Sequence, residues 1–276
     1  MAEWILRGRE HHALAAIALL AEAEAAIALS RGGAPKLYAH TDPNEDVALL
    51  QVQGAGTLLA VADGHGGFEA AEIAVETVCS WGRTLPDRIG GGSEWKRLAL
   101  QVFARANERI REHASLGGRR LSRTTLTLAL VDPTYDGVRW ASIGDSHVFH
   151  AANGVLDLAH AHGHDHPREG KIHFLGFADE TEESLAEKCR VGEERVSGAQ
   201  AIVLATDGLS ERGVGVDEPE DTVAEAVQAA AQLPPAERAA ALARSVVEAA
   251  LAAHKKRRSG DNVAAAAAWL GPLKAR

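Results

Sequence analysis

Hydrophobic positions along the chain switch between two periods. Val47 to Val52 and Thr57 to Ala62 are apolar runs joined by Gly54-Ala55-Gly56, the pattern of an antiparallel hairpin. Residues 67 to 83 and 94 to 114 read as helices, the second with Leu98, Val102, Ala106 and Ile110 at helical spacing. The strand period returns over Thr124 to Val131, Val138 to Ile143, His147 to Ala152 and Val155 to Leu158, where Asp136-Gly137 and Asn153-Gly154 supply two-residue turns. Together these four predict an antiparallel meander. Ile202 to Ala205 predicts a further buried strand, residues 219 to 232 and 235 to 255 two Ala-rich helices, and Val263 to Leu270 a closing strand. Upstream, residues 11 to 25 read as a helix, which makes residues 1 to 25 an N-terminal helical extension. Ala26 to Ser30 reads as a short strand stopped by Gly32-Gly33. Residues 176 to 200 are polar and read as irregular. Hairpin-linked strands interrupted by helix pairs predict a layered α+β fold, with helices packed on antiparallel sheets and no alternating βαβ units.

Composition narrows the picture. The 276 residues are 46% hydrophobic and 24% charged, an ordinary globular balance, and no Pro/Gly/Ser-rich linker divides them, so one domain over 1 to 276 is expected. Alanine is so abundant that large apolar side chains are fewer than the hydrophobic fraction suggests, which predicts a thin, helix-rich core. The net charge of −9 argues against nucleic acid as a partner. Only Cys79 and Cys189 are present, so neither a disulfide framework nor a Cys-based zinc site is expected, and a cytoplasmic location is the natural reading. No apolar run reaches the roughly 18 residues of a membrane span, so no membrane partner is expected. Arg7 and Arg9 followed by Ala13 to Ala21 imitate a signal peptide, but Glu3, Glu10, His11 and His12 favour an amphipathic helix instead.

The candidate chemistry lies in acidic residues at strand ends. Asp46 opens one strand of the first hairpin and Asp63 closes its partner, so antiparallel pairing brings the two to one edge. Asp207 closes the strand 202 to 206 and Asp261 opens the last one; if those two strands also pair antiparallel, their carboxylates meet in the same way. Asp145 ends a further strand. Clustered carboxylates are tolerable only when protons or cations neutralise them, and an all-oxygen set favours Mg²⁺ or Mn²⁺ over zinc or copper.

Asn44-Glu45-Asp46, Asp63-Gly64-His65-Gly66-Gly67, Thr124-Thr125, Gly144-Asp145-Ser146, Thr206-Asp207-Gly208-Leu209 and Gly260-Asp261-Asn262 occur in this order. The set resembles the motifs of the metal-dependent protein phosphatases of the type 2C, or PPM, family, in the form of a bacterial-type catalytic domain. The likeness spans roughly residues 26 to 270. It implies a four-layer α-β-β-α sandwich, two antiparallel sheets flanked by helix pairs, with two Mn²⁺ or Mg²⁺ ions at one end. It also implies that Asp46, Asp63, Asp207 and Asp261 hold these ions, with the Gly64 carbonyl completing a shell and Glu45 acting through bound water. Asp145 would help hold a third, weaker ion. The implied reaction is hydrolysis of a phosphomonoester by a water bridging two metals, with phosphorylated Ser/Thr proteins as substrates and a protein kinase as the opposing partner. Asp63 and Asp207 are thereby catalytic as well as metal-holding, and His65 fits the general acid that protonates the departing oxygen. Asn262 reads as orienting its neighbouring Asp.

The likeness breaks at Thr41, where the family usually carries a phosphate-binding Arg; Lys36, His40 and the basic segment 119 to 123 are the candidates to replace it. Arg123 stands where a Gly is usual before Thr-Thr, and Glu211 where an Asp is common. His160-Ala161-His162-Gly163-His164-Asp165-His166 suggests a zinc motif, but Ala161 and Gly163 break the spacing, and the tract reads as a solvated loop. Lys255-Lys256-Arg257-Arg258 reads as a helix end, or as a basic rim that attracts phosphorylated substrate. The acidic stretch 176 to 200 reads as a surface loop or a flap beside the site. The function expected is therefore a Mn/Mg-dependent serine/threonine phosphoprotein phosphatase. The alternatives are a catalytically weak phosphatase-like regulatory module that keeps metal without the arginine, and a hydrolase of small phosphate esters.

Overall fold

The computed structural model describes residues 2–271 apart from 39, 55, 87, 118–121, 133–136, 161–171, 178–180 and 197. The chain begins with strands β1 (Ala2–Arg7), β2 (Ala18–Glu22), β3 (Ala25–Ser30), β4 (Val47–Gln53), β5 (Gly56–Ala62) and the short β6 (Gly64–His65). Helices α1 (Glu69–Gly82) and α2 (Gly92–Gly117) follow, then β7 (Arg123–Thr124), β8 (Leu126–Asp132), β9 (Gly137–Ile143), β10 (His147–Ala151) and β11 (Val155–Asp157). The chain closes with α3 (Glu182–Lys188), β12 (Arg190–Arg195), β13 (Ala201–Ala205), α4 (Pro219–Ala231), α5 (Pro235–Arg257) and β14 (Val263–Trp269). The strands form two six-stranded sheets, in the orders β1-β4-β5-β8-β9-β12 and β11-β10-β13-β14-β3-β2, with antiparallel pairing throughout.

Strand side chains alternate between faces, and here both faces are buried. Val47 and Leu49 of β4, with Leu58 and Ala60 of β5, pack with Val75, Val78, Trp95 and Phe103 of α1 and α2. Val203 and Ala205 of β13, with Val263 and Ala265 of β14, pack with Val227 of α4 and Leu242 and Val246 of α5. The intervening residues, Ala48, Leu50, Leu59, Val61, Ile202, Leu204 and Ala266, meet between the two sheets. Three successive hydrophobic layers between four slabs define an α-β-β-α sandwich, the architecture expected from the sequence.

Three expectations need correction. Residues 11 to 25 are not helical: β1 pairs with β4, and β2 with β3 through Ala23, which adopts a left-handed turn conformation (φ 52°). The N-terminal helical extension is thus replaced by one edge strand for each sheet, because pairing with exposed edges outweighs the helix preference of alanine. Nor do Thr124 to Leu158 form one meander. β8–β9 is a hairpin of the first sheet and β10–β11 a hairpin of the second, so the chain crosses between sheets at Gly144-Asp145-Ser146. Finally, the stretch 176 to 200 includes α3 and β12, which closes the first sheet against β9. Val191 is its single large apolar residue, too little for an alternation to be seen, and its charges suit an edge strand.

Candidate functional site

The hairpin and the antiparallel pairing inferred for these residues both hold. Val47 lies opposite Ala62, so Asp46 and Asp63 flank the same end of β4–β5. Ala205 lies opposite Ala265, and the Thr206 N–H donates to the Ala264 carbonyl at 3.0 Å, so Asp207 and Asp261 leave β13 and enter β14 side by side. The sheet crossover delivers Asp145 to the same place. Asp46 feels the charge of Asp261, Asp63 that of Asp46, Asp261 and Asp145, and Asp207 that of Asp145, Asp63 and Asp261. Five carboxylates, from two strand pairs and the crossover between the sheets, therefore converge.

Their electrostatics are unfavourable without a counter-charge. Burial, followed by this mutual repulsion, pushes Asp46 up to about 7 and Asp63 and Asp207 well above the usual carboxylate range. Burial likewise raises Asp145, and burial with Asp261 and Asp145 raises Glu211. Asp46 Oδ2 accepts from the Thr206 hydroxyl at 2.8 Å, whereas Asp46 Oδ1 and Asp145 Oδ1 are buried with no hydrogen-bond partner. Buried native polar atoms are seldom left so, and two orphaned oxygens in an all-oxygen donor set fit hard divalent cations.

The surrounding loops are tied to one another rather than to solvent. Asn262 accepts the Glu45 N–H at 2.9 Å and donates to the Arg31 and Pro43 carbonyls, locking the loop before β4 onto the start of β14. Its own N–H donates to Asp261 Oδ1 at 2.7 Å, so it orients Asp261 as expected. Glu45 Oε1 accepts the N–H groups of Thr41 and Asp42. The Thr125 hydroxyl accepts the Asp63 N–H at 3.0 Å, and the Thr124 hydroxyl donates to the Asp63 carbonyl at 2.8 Å. Close packing here demands glycine: a Cβ at Gly208 would stand 1.7 Å from the Asn262 carbonyl oxygen, and Gly144 (φ 108°) would drive one into Thr125.

Above the carboxylates opens a cavity of about 600 Å³ lined by Glu45, Asp63, Gly64, Asp145, Asp207, Glu211 and Asp261. His65, Lys36, Tyr38, His40, Thr41, Arg123, Ile172 and Phe174 complete its wall. His65 lies opposite Arg123 in the β6–β7 pair and its exposed ring stacks on Phe174 at 5.4 Å. The Arg123 guanidinium lies 4.7 Å from the centre of the Phe177 ring. Lys36 Nζ is 3.1 Å from Asp261 Oδ1, and the Tyr38 hydroxyl donates to the same oxygen at 2.5 Å. Burial opposes the charge on Lys36, but Asp261, Asp46 and Asp63 outweigh it and raise its proton affinity.

The structure thus brings together His65, Asp63, Gly64, Asp207, Asp46, Asp261, Glu45 and Asp145. Sequence reasoning overlooked Tyr38, and also Ile172 and Phe174, which lie just before Leu175, the residue that bonds the Thr124 backbone in both directions. The basic run at the end of α5 does not line the cavity; Arg257 pairs with Asp217 at 2.6 Å. Of the segment 119 to 123 only Ser122 and Arg123, and of the tract 160 to 166 only His160, lie within the described residues.

A family model described as protein phosphatase 2C matches residues 36–253. No curated protein matches the chain. Among solved structures, a bacterial serine phosphatase superposes with a TM-score of 0.66 at 17% identity, covering 92% of this chain and 100% of its own. A serine-threonine phosphatase 2C from Toxoplasma gondii gives 0.65 at 18%, covering 97% and 99%. The catalytic domain of the serine threonine protein phosphatase PstP, in complex with two manganese ions, gives 0.60 at 23%, covering 92% and 99%. With the family model spanning most of its length, the chain belongs to the protein phosphatase 2C family.

Proposed function

We propose that this chain is a Mn²⁺- or Mg²⁺-dependent serine/threonine phosphoprotein phosphatase. The observation that carries the reading is the convergence of five acidic residues, two with orphaned buried oxygens, beneath an open cavity walled by His65 and Arg123. Asp46, Asp63, Asp207 and Asp261 would hold two ions, with Glu45 and the Gly64 carbonyl completing the set and Asp145 contributing to a third. When bound, such ions supply charge that neutralises a phosphoryl group and a water acidic enough to attack it near neutral pH.

The chain's own groups do the rest. His65 is exposed at the rim on a strand fixed to β7, which suits a proton donor to the departing Ser or Thr oxygen. Arg123, beside it, is the cation that stands in for the missing arginine at position 41; its fork can clamp phosphate, whereas Lys36 is already engaged by Asp261. The Ile172, Phe174 and Phe177 side chains offer an apolar rest for the peptide flanking a phosphorylated residue, which favours protein over small-ester substrates. A protein kinase is the implied counterpart, and the two free cysteines suit a reducing cytoplasm.

A second reading, a metal-keeping regulatory module with little turnover, draws on Thr41 and on the donors that Lys36 and Tyr38 place on Asp261. Hydrolysis of an aryl phosphate and of a phosphothreonine peptide with Mn²⁺, Mg²⁺ or EDTA separates the two. Metal-dependent turnover lost in Asp63→Ala and Asp207→Ala supports the phosphatase; measurable Mn²⁺ binding without turnover supports the module.

A further inference from the structure

Next to the carboxylate centre, and not used by it, is a cluster of a different chemistry. His147 on β10, Asp157 at the end of β11 and His160 just beyond bring two imidazoles and a carboxylate together, one ligand atom from each lying within 4.8 Å of the others. Both rings aim Nδ1 at the same oxygen: His147 Nδ1 is 2.5 Å and His160 Nδ1 2.6 Å from Asp157 Oδ2. The register Phe149 opposite Asp157 in the β10–β11 hairpin sets the meeting of His147 with Asp157, and a turn closed by the His160 N–H on the Asp157 carbonyl adds His160. His147 and Asp157 are buried and His160 nearly so.

The outer contacts are those that metal-ligating groups need. Asp157 Oδ1 accepts the N–H groups of Val148 at 3.2 Å and Ala159 at 3.1 Å, which fixes the carboxylate and leaves Oδ2 facing the rings. His147 Nε2 lies 2.5 Å from the Ser210 hydroxyl, so an imidazole bound through Nδ1 carries its proton on Nε2 and donates it there. The ring itself is held against Phe149, stacked at 5.0 Å. The cluster thus supplies three ligands and their supports.

We propose that His147, Asp157 and His160 form a transition-metal site, separate from the carboxylate centre, for Zn²⁺ or a similar borderline ion. Two nitrogens and one oxygen favour Zn²⁺ or Co²⁺ over Mg²⁺ or Mn²⁺, which the all-oxygen centre suits. An ion here takes the place of the two ring protons now shared with Asp157 Oδ2. It also ties β10, which follows Asp145, to Ser210, which ends the turn begun by Asp207, so occupancy stiffens two elements of the neighbouring centre.

The test uses the full chain, stripped with EDTA and titrated with Co²⁺ while following visible absorption, with Zn²⁺ as competitor. It is repeated in an Asp63→Asn/Asp207→Asn background that disables the carboxylate centre. The expected result is one nitrogen-ligated Co²⁺ per chain, read from its absorption, in both backgrounds and displaced by Zn²⁺, any Co²⁺ in the carboxylate centre of the parent chain adding only weak oxygen-ligand absorption. His160→Gln, which can still hydrogen-bond Asp157, should raise the Kd at least about 100-fold, and Ser210→Ala roughly 10-fold. No such absorption in the parent chain overturns the proposal without recourse to any variant. It is equally overturned if the band disappears in the Asp63→Asn/Asp207→Asn background, or if His162, His164 and His166→Ala abolishes it while His160→Gln does not.

Discussion

Asp63 and Asp207 hold a proton affinity far above that of a solvated carboxylate because burial and their neighbours disfavour the charge. Neutralising either should therefore relieve the metal-free protein even as it removes a ligand. Asp63→Asn and Asp207→Asn are expected to raise the Tm of the EDTA-treated protein by a few degrees at pH 7.5 and to abolish the Tm increase given by Mn²⁺; thermal melts with and without metal check both. Thr41 faces the same cavity, and Thr41→Arg should lower the KM for a phosphopeptide about tenfold, while Arg123→Ala should raise it by a similar factor. A KM unmoved by either change removes the assignment of Arg123 in steady-state assays. At this scale the acidic residues were legible because they stand at strand ends, and antiparallel pairing brings Asp46 to Asp63 and Asp207 to Asp261. Arg123 showed as a departure from Gly and as one end of the basic segment 119 to 123, and Phe174 not at all, since its place depends on an isolated backbone bridge between Leu175 and Thr124.

Elements were legible wherever apolar residues recur with a regular period, as in β4, β5, α2 and β13. They were hidden where charge does the docking. β12 joins the first sheet with Glu193 directly across from Arg139, and Arg139 also bonds Asp132 and the carbonyls of Ile89 and Gly90. Hydropathy cannot register such a network. Arg139→Leu would leave Asp132, only 3% exposed, without this cation, and is expected to destabilise the fold by about 3–5 kcal/mol, read from urea unfolding. A loss below ~1 kcal/mol would show that the network carries little of β12's attachment. β2 was missed for the opposite reason: an Ala-rich run with scattered Glu reads as helix until the edge it pairs with is known.

At the scale of the molecule, two sheets that carry their acidic strand ends to one place trade stability for a site. Asp46, Asp63 and Asp207 are all raised above their unfolded values, so from about pH 4 upward, as far as about pH 7 for Asp46, the folded, metal-free protein binds more protons than the unfolded chain. Stability from these groups is full below that window and is lost as pH rises through it. The Tm of the metal-free protein should fall from pH 5 to pH 7.5, and the stabilisation by Mn²⁺ should grow over the same range, reaching about 2.7 kcal/mol at a hundredfold excess over Kd. The most direct measurement is steady-state hydrolysis of a phosphothreonine peptide by the parent chain and by Asp63→Ala, each with Mn²⁺ and with EDTA. Turnover by the parent chain in Mn²⁺ alone, lost in the variant, is the expected result; turnover that survives EDTA or Asp63→Ala would contradict the assignment of a metal-dependent phosphatase.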